Sequence, residues 1–430
     1  MSTQQILPEL SPASQALVAM HGGVPSGDAD WLAALRADAL ARFGQTGLPT
    51  PKLEDWKYTD LKALNGANLV RPVDAPAANF GGQAGHRLCF ADGRYVAAAS
   101  KVDDLPGGVT FLSLSEAFMD MPDVLRSHLE TADAGALADL NAAYLDSGAV
   151  IIVDGAEVTL ALEFLATGEG TQMSAFHPRN IVIVKNGAQL TLLESQGGGG
   201  VYFANHVTSI AVEDGGRLNH VKAFNHSSEA FNTSLTQVHI GADGYYGSAI
   251  LDTDGKLLRN EIRIELAGEG AETSLAGAYL ARGGRHTDHT TRIDHLAANT
   301  TSRQIFRGAL DGKARAVFQG NIVVAEGADG SDGRLANNTI MLSEGCEIDT
   351  KPQLEIYADE VKCAHGSTVG ELDDEALFYL RSRGVPETQA RAMLVEGFVA
   401  TVFDEFDSLE GVQQLRDGIA DWLAGLEPGA

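Results

Sequence analysis

Cys363 and His365 stand two residues apart in the segment EVKCAHGSTVG. On an extended strand that spacing turns both side chains to one face. A thiolate and an imidazole on one face are donors suited to iron. Two donors do not close a four-coordinate site, so iron held there would need ligands from a second chain. Another cluster lies upstream in GGRHTDHTTRIDH, with His286, Asp288, His289 and His295. On a strand, His286 and Asp288 share a face and His289 points away. Imidazole with carboxylate binds zinc or iron. The same side chains serve equally well as hydrogen-bonding groups inside a fold or across an interface. Cys346 precedes Cys363 by 17 residues, less than one repeat of the pattern described next, and reads as a packed small side chain.

These residues need a frame. From Ile181 to Val369 short β-branched runs alternate with Gly, Asp and Asn turns. Gly187, Gly215, Gly241 and Gly268 follow one another at 28, 26 and 27 residues. Strand, turn and strand at one period is the mark of a solenoid, each coil burying its apolar face on the next. A period near 27 suits a β-helix better than a propeller blade. A sandwich is the second choice. In VTSIAVE, Val207, Ile210 and Val212 alternate with Thr208, Ser209 and Glu213, as in a strand with one face inward. QGGGG at 196–200 reads as a loop.

Helical text flanks this core. Asp28-Ala29-Asp30 supplies an N-cap before WLAALRADALARF, where Trp31, Leu35, Leu40 and Phe43 form a stripe. EDWKYTDLKAL reads as an aromatic plug between a helical domain and its neighbour. PVDAPAANF, from Pro72 to Phe80, reads as a linker. HRLCF, VTFLSL and AVIIVD read as strands, and ALADLNAAYL as a helix. At the other end DDEALFYLRSRG has acids in its first turn, Arg in its last and Gly384 after it. Pro386 opens a second helix in its first turn, and a third carries Leu415, Ile419 and Leu423 on one face. The domains expected are a helical domain over 1–80, a β-helix over 81–370 with regular coils from about 150, and a helical domain over 371–430.

Composition bounds the partners. The chain has 430 residues and a net charge of −27, from 58 acidic against 31 basic side chains. Such a chain is a poor binder of phosphate backbones, so nucleic acid is not an expected partner. Three cysteines without a C-x-x-C pair fit reduced thiols and a cytoplasmic setting. No secretory signal and no apolar run near the ~20 residues of a membrane span are evident. There is no P-loop, so ATP is not expected to bind here.

The block ANNTIMLSEGCEIDTKPQLEIYADEVKCAHGSTVGELDDEALFYLRSRGV closely resembles the C-terminal part of the SufB/SufD family of the SUF iron–sulfur cluster assembly system. EDWKYTDLKAL and SRQIFRGALDGKARAVFQGNIVV match two further blocks, so the resemblance spans nearly the whole chain. It implies a mainly β fold, a right-handed parallel β-helix between helical termini. It also implies a non-catalytic scaffold subunit of the SufBCD complex. Within the family, Ala364-His365-Gly366 and Leu380 resemble the SufD-type branch; SufB-type chains carry a Glu-His-Glu segment and a cysteine there. A SufB-like scaffold paralogue is therefore the alternative. The resemblance further implies pairing with a SufB-like paralogue through the β-helix. It implies docking of the SufC-like ABC ATPase, which binds the ATP, on the C-terminal helices, for which Phe378, Leu394 and Phe398 are the candidates. An iron–sulfur cluster would form transiently at the paired interface, with His365 as ligand beside Cys363, and the complex would bind reduced flavin. His286 and His289 keep a place as iron-entry candidates. The isolated chain is expected to self-pair as a homodimer. Two other readings, a β-helix enzyme on acidic polysaccharide and a metallohydrolase built on His286, Asp288 and His289, fit the acidity or the metal expectation less well.

Overall fold

The computed structural model describes residues 9–23, 30–81, 85–129, 135–168 and 172–425. The protein is mainly β, a parallel solenoid flanked by helices. From Arg179–Val184 onward, successive strands alternate between two sheets, and each hydrogen-bonds in parallel to the next strand but one. Phe203, Phe231, Leu257, His286, Arg315 and Glu347 stack in one register column. Gln189, Arg217, Tyr245, Glu272, Thr301, Asp332 and Lys362 stack in the other.

The turns stack as well, because a coil repeats only if its corners repeat. Gly187, Gly215, Asp243, Gly270, Asn299 and Gly330 all have positive φ. From Gly215 onward, backbone bonds join each corner to the next: Gly215 N donates to Ala242 O, Asp243 N to Glu269 O, Gly270 N to Ala298 O, Asn299 N to Asp329 O and Gly330 N to Glu360 O. The corner position is therefore two residues past Gly241 and Gly268, the glycines that mark the period in the sequence. Asp and Asn tolerate this left-handed conformation, so the corner does not demand glycine. QGGGG is likewise tighter than a loop. The strand Gln189–Gly198 runs into it, and an added Cβ would lie 2.0 Å from Ala166 O at Gly198 and 2.1 Å from Gly168 O at Gly200.

Between the sheets lies one apolar core, from Leu88 and Phe90 through Leu190, Ile210, Ile240, Leu266 and Phe306 to Phe318 and Leu335. The outer faces are covered too. A second apolar cluster joins Pro12–Met20, Asp30–Thr46 and the helices Leu114–Asp120, Pro122–Leu129 and Ala136–Tyr144 to the outer face of the first sheet. This explains a departure from simple alternation. Val207 faces outward yet is buried, while Thr208 faces inward and accepts a hydrogen bond from Asn180 Nδ2 (3.2 Å). In Asp30–Thr46 the fully buried stripe is Leu32, Arg36, Ala39 and Phe43, with Trp31, Leu35 and Leu40 packed at its margin. Asp28 and Ala29, proposed as part of its cap, lie outside the described residues.

The C-terminal helices return to the outer face of the second sheet. Val395, Val399, Phe403, Leu415, Ile419 and Trp422 pack on Leu193, Val221, Leu251 and Leu280. The helix Asp374–Ser382 is capped by Asp373, which accepts from the N–H groups of Glu375 and Ala376, and Gly384 follows with positive φ. Pro386 is the N-cap of Glu387–Ala400 rather than a first-turn residue.

Candidate functional site

The two ends of the solenoid differ. At the N-terminal end, antiparallel pairs finish the sheets: Val109–Ser113 on Ala149–Val153, and Arg94–Tyr95 on His86–Ala91. At the other end, the strands Glu347–Ile356 and Lys362–Gly370 each pair on one side only. No residue of either strand is buried, unlike any earlier complete coil. Two unpaired parallel edges side by side are a template for another chain.

Cys363 and His365 lie on the second of these edges. Their register partners are Gly333 and Leu335, and Leu335 belongs to the core, so both side chains sit on the inward face of the last coil. That face has no further coil beyond it, which leaves His365 exposed and Cys363 half-buried against the core. Burial pushes the Cys363 thiol pKa up, with the nearby Gly333 backbone opposing and Asp332 adding to the rise. A Cβ at Gly333 would sit 3.4 Å from Cys363 Sγ and 3.5 Å from His295 Nε2. His295 is held on both ring nitrogens, by Thr300 Oγ1 (2.8 Å) and Ser302 Oγ (2.9 Å). His295, the last histidine of the GGRHTDHTTRIDH cluster, thus lies on the inward face near Cys363 and apart from His286 and Asp288. Across the coil, Thr350 Oγ1 bonds Ser367 Oγ at 2.8 Å. That contact aligns oppositely running strands, so Cys363 lies towards Leu354 and Cys346 at the far end. Cys346 packs on the core, with Gly312 O 3.9 Å from its sulfur, and burial raises its pKa.

His286, Asp288 and His289 do not converge. His286 and Asp288 face outward, where Thr59 bridges them. Its hydroxyl donates to Asp288 Oδ2, and its lone pairs face His286 Nε2 at 2.9 Å. Asp288 also pairs with buried Arg259, whose guanidinium lies 4.3 Å from the Trp56 ring. His289 points into the solenoid, 3.5 Å from Asp252 Oδ2 and against Tyr279 and Phe306. Among the described residues no group of three or more His, Cys, Asp or Glu is arranged to hold a metal. The cluster instead straps EDWKYTDLKAL to the solenoid. The strap extends to the open edge: Glu54 pairs with Lys351 at 2.5 Å, and Asp55 O accepts from Gln319 at 3.2 Å.

Of the three hydrophobic candidates on the C-terminal helices, Phe378 is 74% exposed. Leu394 is partly buried. Phe398 is engaged with the solenoid, its ring 5.2 Å from the Arg307 guanidinium and its carbonyl accepting from Arg307 Nη1. Tyr379 and Met393 are further exposed apolar side chains of these helices. No helix among the described residues is long and apolar enough to cross a membrane.

A parallel solenoid capped by antiparallel pairs at one end and left with two unpaired edges at the other has a surface on which another chain can pair. The chain belongs to the SufBD family. The family model for the SUF system FeS cluster assembly SufBD core domain matches residues 164–398. That for the SufBD protein N-terminal region matches 19–71. Over 397 residues the chain is 31% identical to the iron–sulfur cluster assembly protein SufD of Escherichia coli, spanning 87% of this chain and 89% of that one. A SufBD family protein of Synechocystis is 28% identical over 400 residues, 87% and 88% of the two chains. The chloroplastic protein ABCI7 of Arabidopsis thaliana is 24% identical over 412 residues, 90% and 86%.

Proposed function

We propose that this protein is the SufD-type, non-catalytic subunit of a SUF scaffold complex, working in the cytoplasm. The observation that carries the reading is the pair of unpaired edge strands, Glu347–Ile356 and Lys362–Gly370, with Cys363 and His365 on their open face. A SufB-like paralogue pairs with these edges and supplies the remaining ligands. His365 offers a neutral imidazole to iron, Cys363 assists after losing its proton, and the cluster is cargo built between the two chains. His286 and Asp288 act on this reading as the anchor of the N-terminal strap, not as an iron path.

The SufC-like ATPase binds ATP and docks on the C-terminal helices, with exposed Phe378 at the centre of contact and Phe398 holding the helices in place. Reduced flavin belongs to the assembled complex, and no residue of this chain is assigned to it. Without its paralogue the chain self-pairs through the same edges as a homodimer. Residues 80 and 370 are the working boundaries for truncation.

The test is iron and acid-labile sulfide in the complex co-purified with SufB- and SufC-type partners, wild type beside His365→Ala. The expected result is an intact complex with little cluster in the variant. Unchanged cluster content in an intact complex sinks the assignment of His365.

A further inference from the structure

The turns on the two sides of the solenoid differ in charge. Those that lead from the first sheet to the second carry Glu213, Asp214, Asp243, Glu269, Asp329 and Glu360, and from Glu213 onward they hold no lysine or arginine. Those that lead back carry Lys256, Arg282, Arg285 and Lys313. In a chain of net charge −27, that ridge is the side that draws anions. An open cavity of about 540 Å³ runs along it. Lys256 and the whole turn Arg282-Gly283-Gly284-Arg285 line the cavity, with Glu229 and Asp311 as its carboxylates and Gly425 at the end of the helix Val412–Ala424. Three cations against two carboxylates leave the lining with a net positive charge.

Most of these charges are already matched. Lys256 Nζ lies 3.0 Å from Glu229 Oε2, and Arg285 Nε lies 2.7 Å from Asp254 Oδ1. Asp311 Oδ1 accepts from the Ser343 hydroxyl. Arg282 is the exception. Its guanidinium lies 4.9 Å from the centre of the Trp422 ring, and it forms no hydrogen bond or ion pair among the described residues. Burial lowers its pKa; Asp254 and Asp311 oppose the drop and Arg285 adds to it. A guanidinium stays charged at neutral pH all the same. Between the two arginines, the N–H groups of Gly283 and Gly284 make no backbone hydrogen bond among the described residues. Gly283 has a positive φ, which accounts for that glycine. Gly284 does not, and a Cβ there would meet nothing within 4 Å. Neither backbone conformation nor packing requires glycine at 284. Its missing side chain leaves the backbone open to close approach from the cavity.

We infer that the turn Arg282-Gly283-Gly284-Arg285 binds a phosphate group, either the free ion or the monoester of a small metabolite. The unmatched fork of Arg282 suits two oxygens of a tetrahedral oxyanion. Consecutive N–H groups of a glycine turn suit a third. Lys256 and Arg285, each held by its own carboxylate, flank the bound charge. The cavity is larger than a bare phosphate and falls within the ~300–1,000 Å³ of small-molecule sites, which leaves room for an organic remainder. The site does not rest on the scaffold reading, and its failure would leave that reading standing.

Inorganic phosphate and glycerol 3-phosphate are the probes. Each is titrated calorimetrically into the full chain, with sodium chloride holding ionic strength constant. Saturable binding at a single site is expected. Tighter binding of the ester assigns the site to a phosphorylated metabolite, and tighter binding of inorganic phosphate assigns it to the free ion. Arg282→Gln should weaken binding about tenfold or more, the loss of one charge-assisted contact. Because Arg282 also packs on Trp422, a second variant leaves that contact alone. Gly284→Val should keep the wild-type unfolding midpoint, since its Cβ meets no protein atom, and should weaken binding by crowding the turn. Absence of saturable binding for both probes overturns the assignment. So does binding that both variants retain.

Discussion

Replacing Asp288 with Ala should destabilise the N-terminal strap. Asp288 Oδ2 pairs with Arg259 and accepts from Thr59, and Oδ1 accepts from Thr290 Oγ1 at 3.0 Å. Both members of the ion pair are buried. Burial opposes the Arg259 charge, and Asp288 and Glu261 more than offset it, leaving its pKa above the usual value. Removing one partner of a buried pair costs about 3–5 kcal/mol, because the other charge is left uncompensated. Glu261 stays at 3.2 Å and softens the loss, so about 3 kcal/mol is expected. Asp288→Asn keeps the acceptor for Thr59 and should cost less. The assay is urea unfolding combined with hydrogen exchange over residues 53–66, which should lose protection first. Chelator treatment of the wild type should leave both readouts unchanged. A loss below about 0.5 kcal/mol, within the range of ordinary surface changes, would refute the clamp. Chelator-sensitive protection would refute it from the other side and return His286 and Asp288 to metal binding.

Phe378→Glu should leave the unfolding midpoint within about 0.5 kcal/mol, since the ring is exposed, while pull-down of the SufC-type ATPase proposed to dock there falls at least tenfold. Phe398→Ala should instead lower stability by about 2 kcal/mol, below the ~3–5 of a fully buried phenylalanine, as measured by urea unfolding. Gly308→Ala should destabilise by about 1–3 kcal/mol, because the new methyl meets Tyr279 at 2.0 Å and disturbs its bonds to Asn337 and Thr339. Acid should weaken the fold below pH 6.5. Burial lowers the pKa of His177 to about 3, His206 to about 4 and His226 to about 3. Between 6.5 and those values the unfolded chain binds protons that the native chain does not, so stability falls as pH falls, by up to about 1.4 kcal/mol per histidine per unit. Urea midpoints from pH 7.5 to 4.5 should trace this slope, and His206→Gln should make it shallower.

The solenoid was legible because its period is written in turn residues. Its corner position was not, because Asp243 and Asn299 take the conformation that the eye assigns to glycine. Spacing placed Cys363 with His365 and separated His289 from His286 correctly, since strand alternation is a backbone property. What spacing could not reveal was the other element at each site. Thr59 reaches His286 from 227 residues away, and Asn141 of the helix Ala136–Tyr144 reaches Pro178 O from 37 residues away. The stripe in Asp30–Thr46 shifted for a related reason: it packs on Leu64, Leu140 and the first sheet, and those partners choose which apolar residues go deepest.

The open coil is not a loose end of chain. After Gly370 the backbone continues into helices that anchor on Val221, Leu251, Ala276 and Leu280, several coils back. On its other side Lys351 is held by Glu54 of the strap. The last coil is thus a segment tethered at both ends, and its opening is limited by loop closure rather than by the fraying of a terminus. Less conformational entropy is lost when a partner docks on an edge already held in place. A shorter chain ending at Gly370 would keep every residue of the edge and lose this restraint, so its pairing should weaken even though no interface residue has been removed.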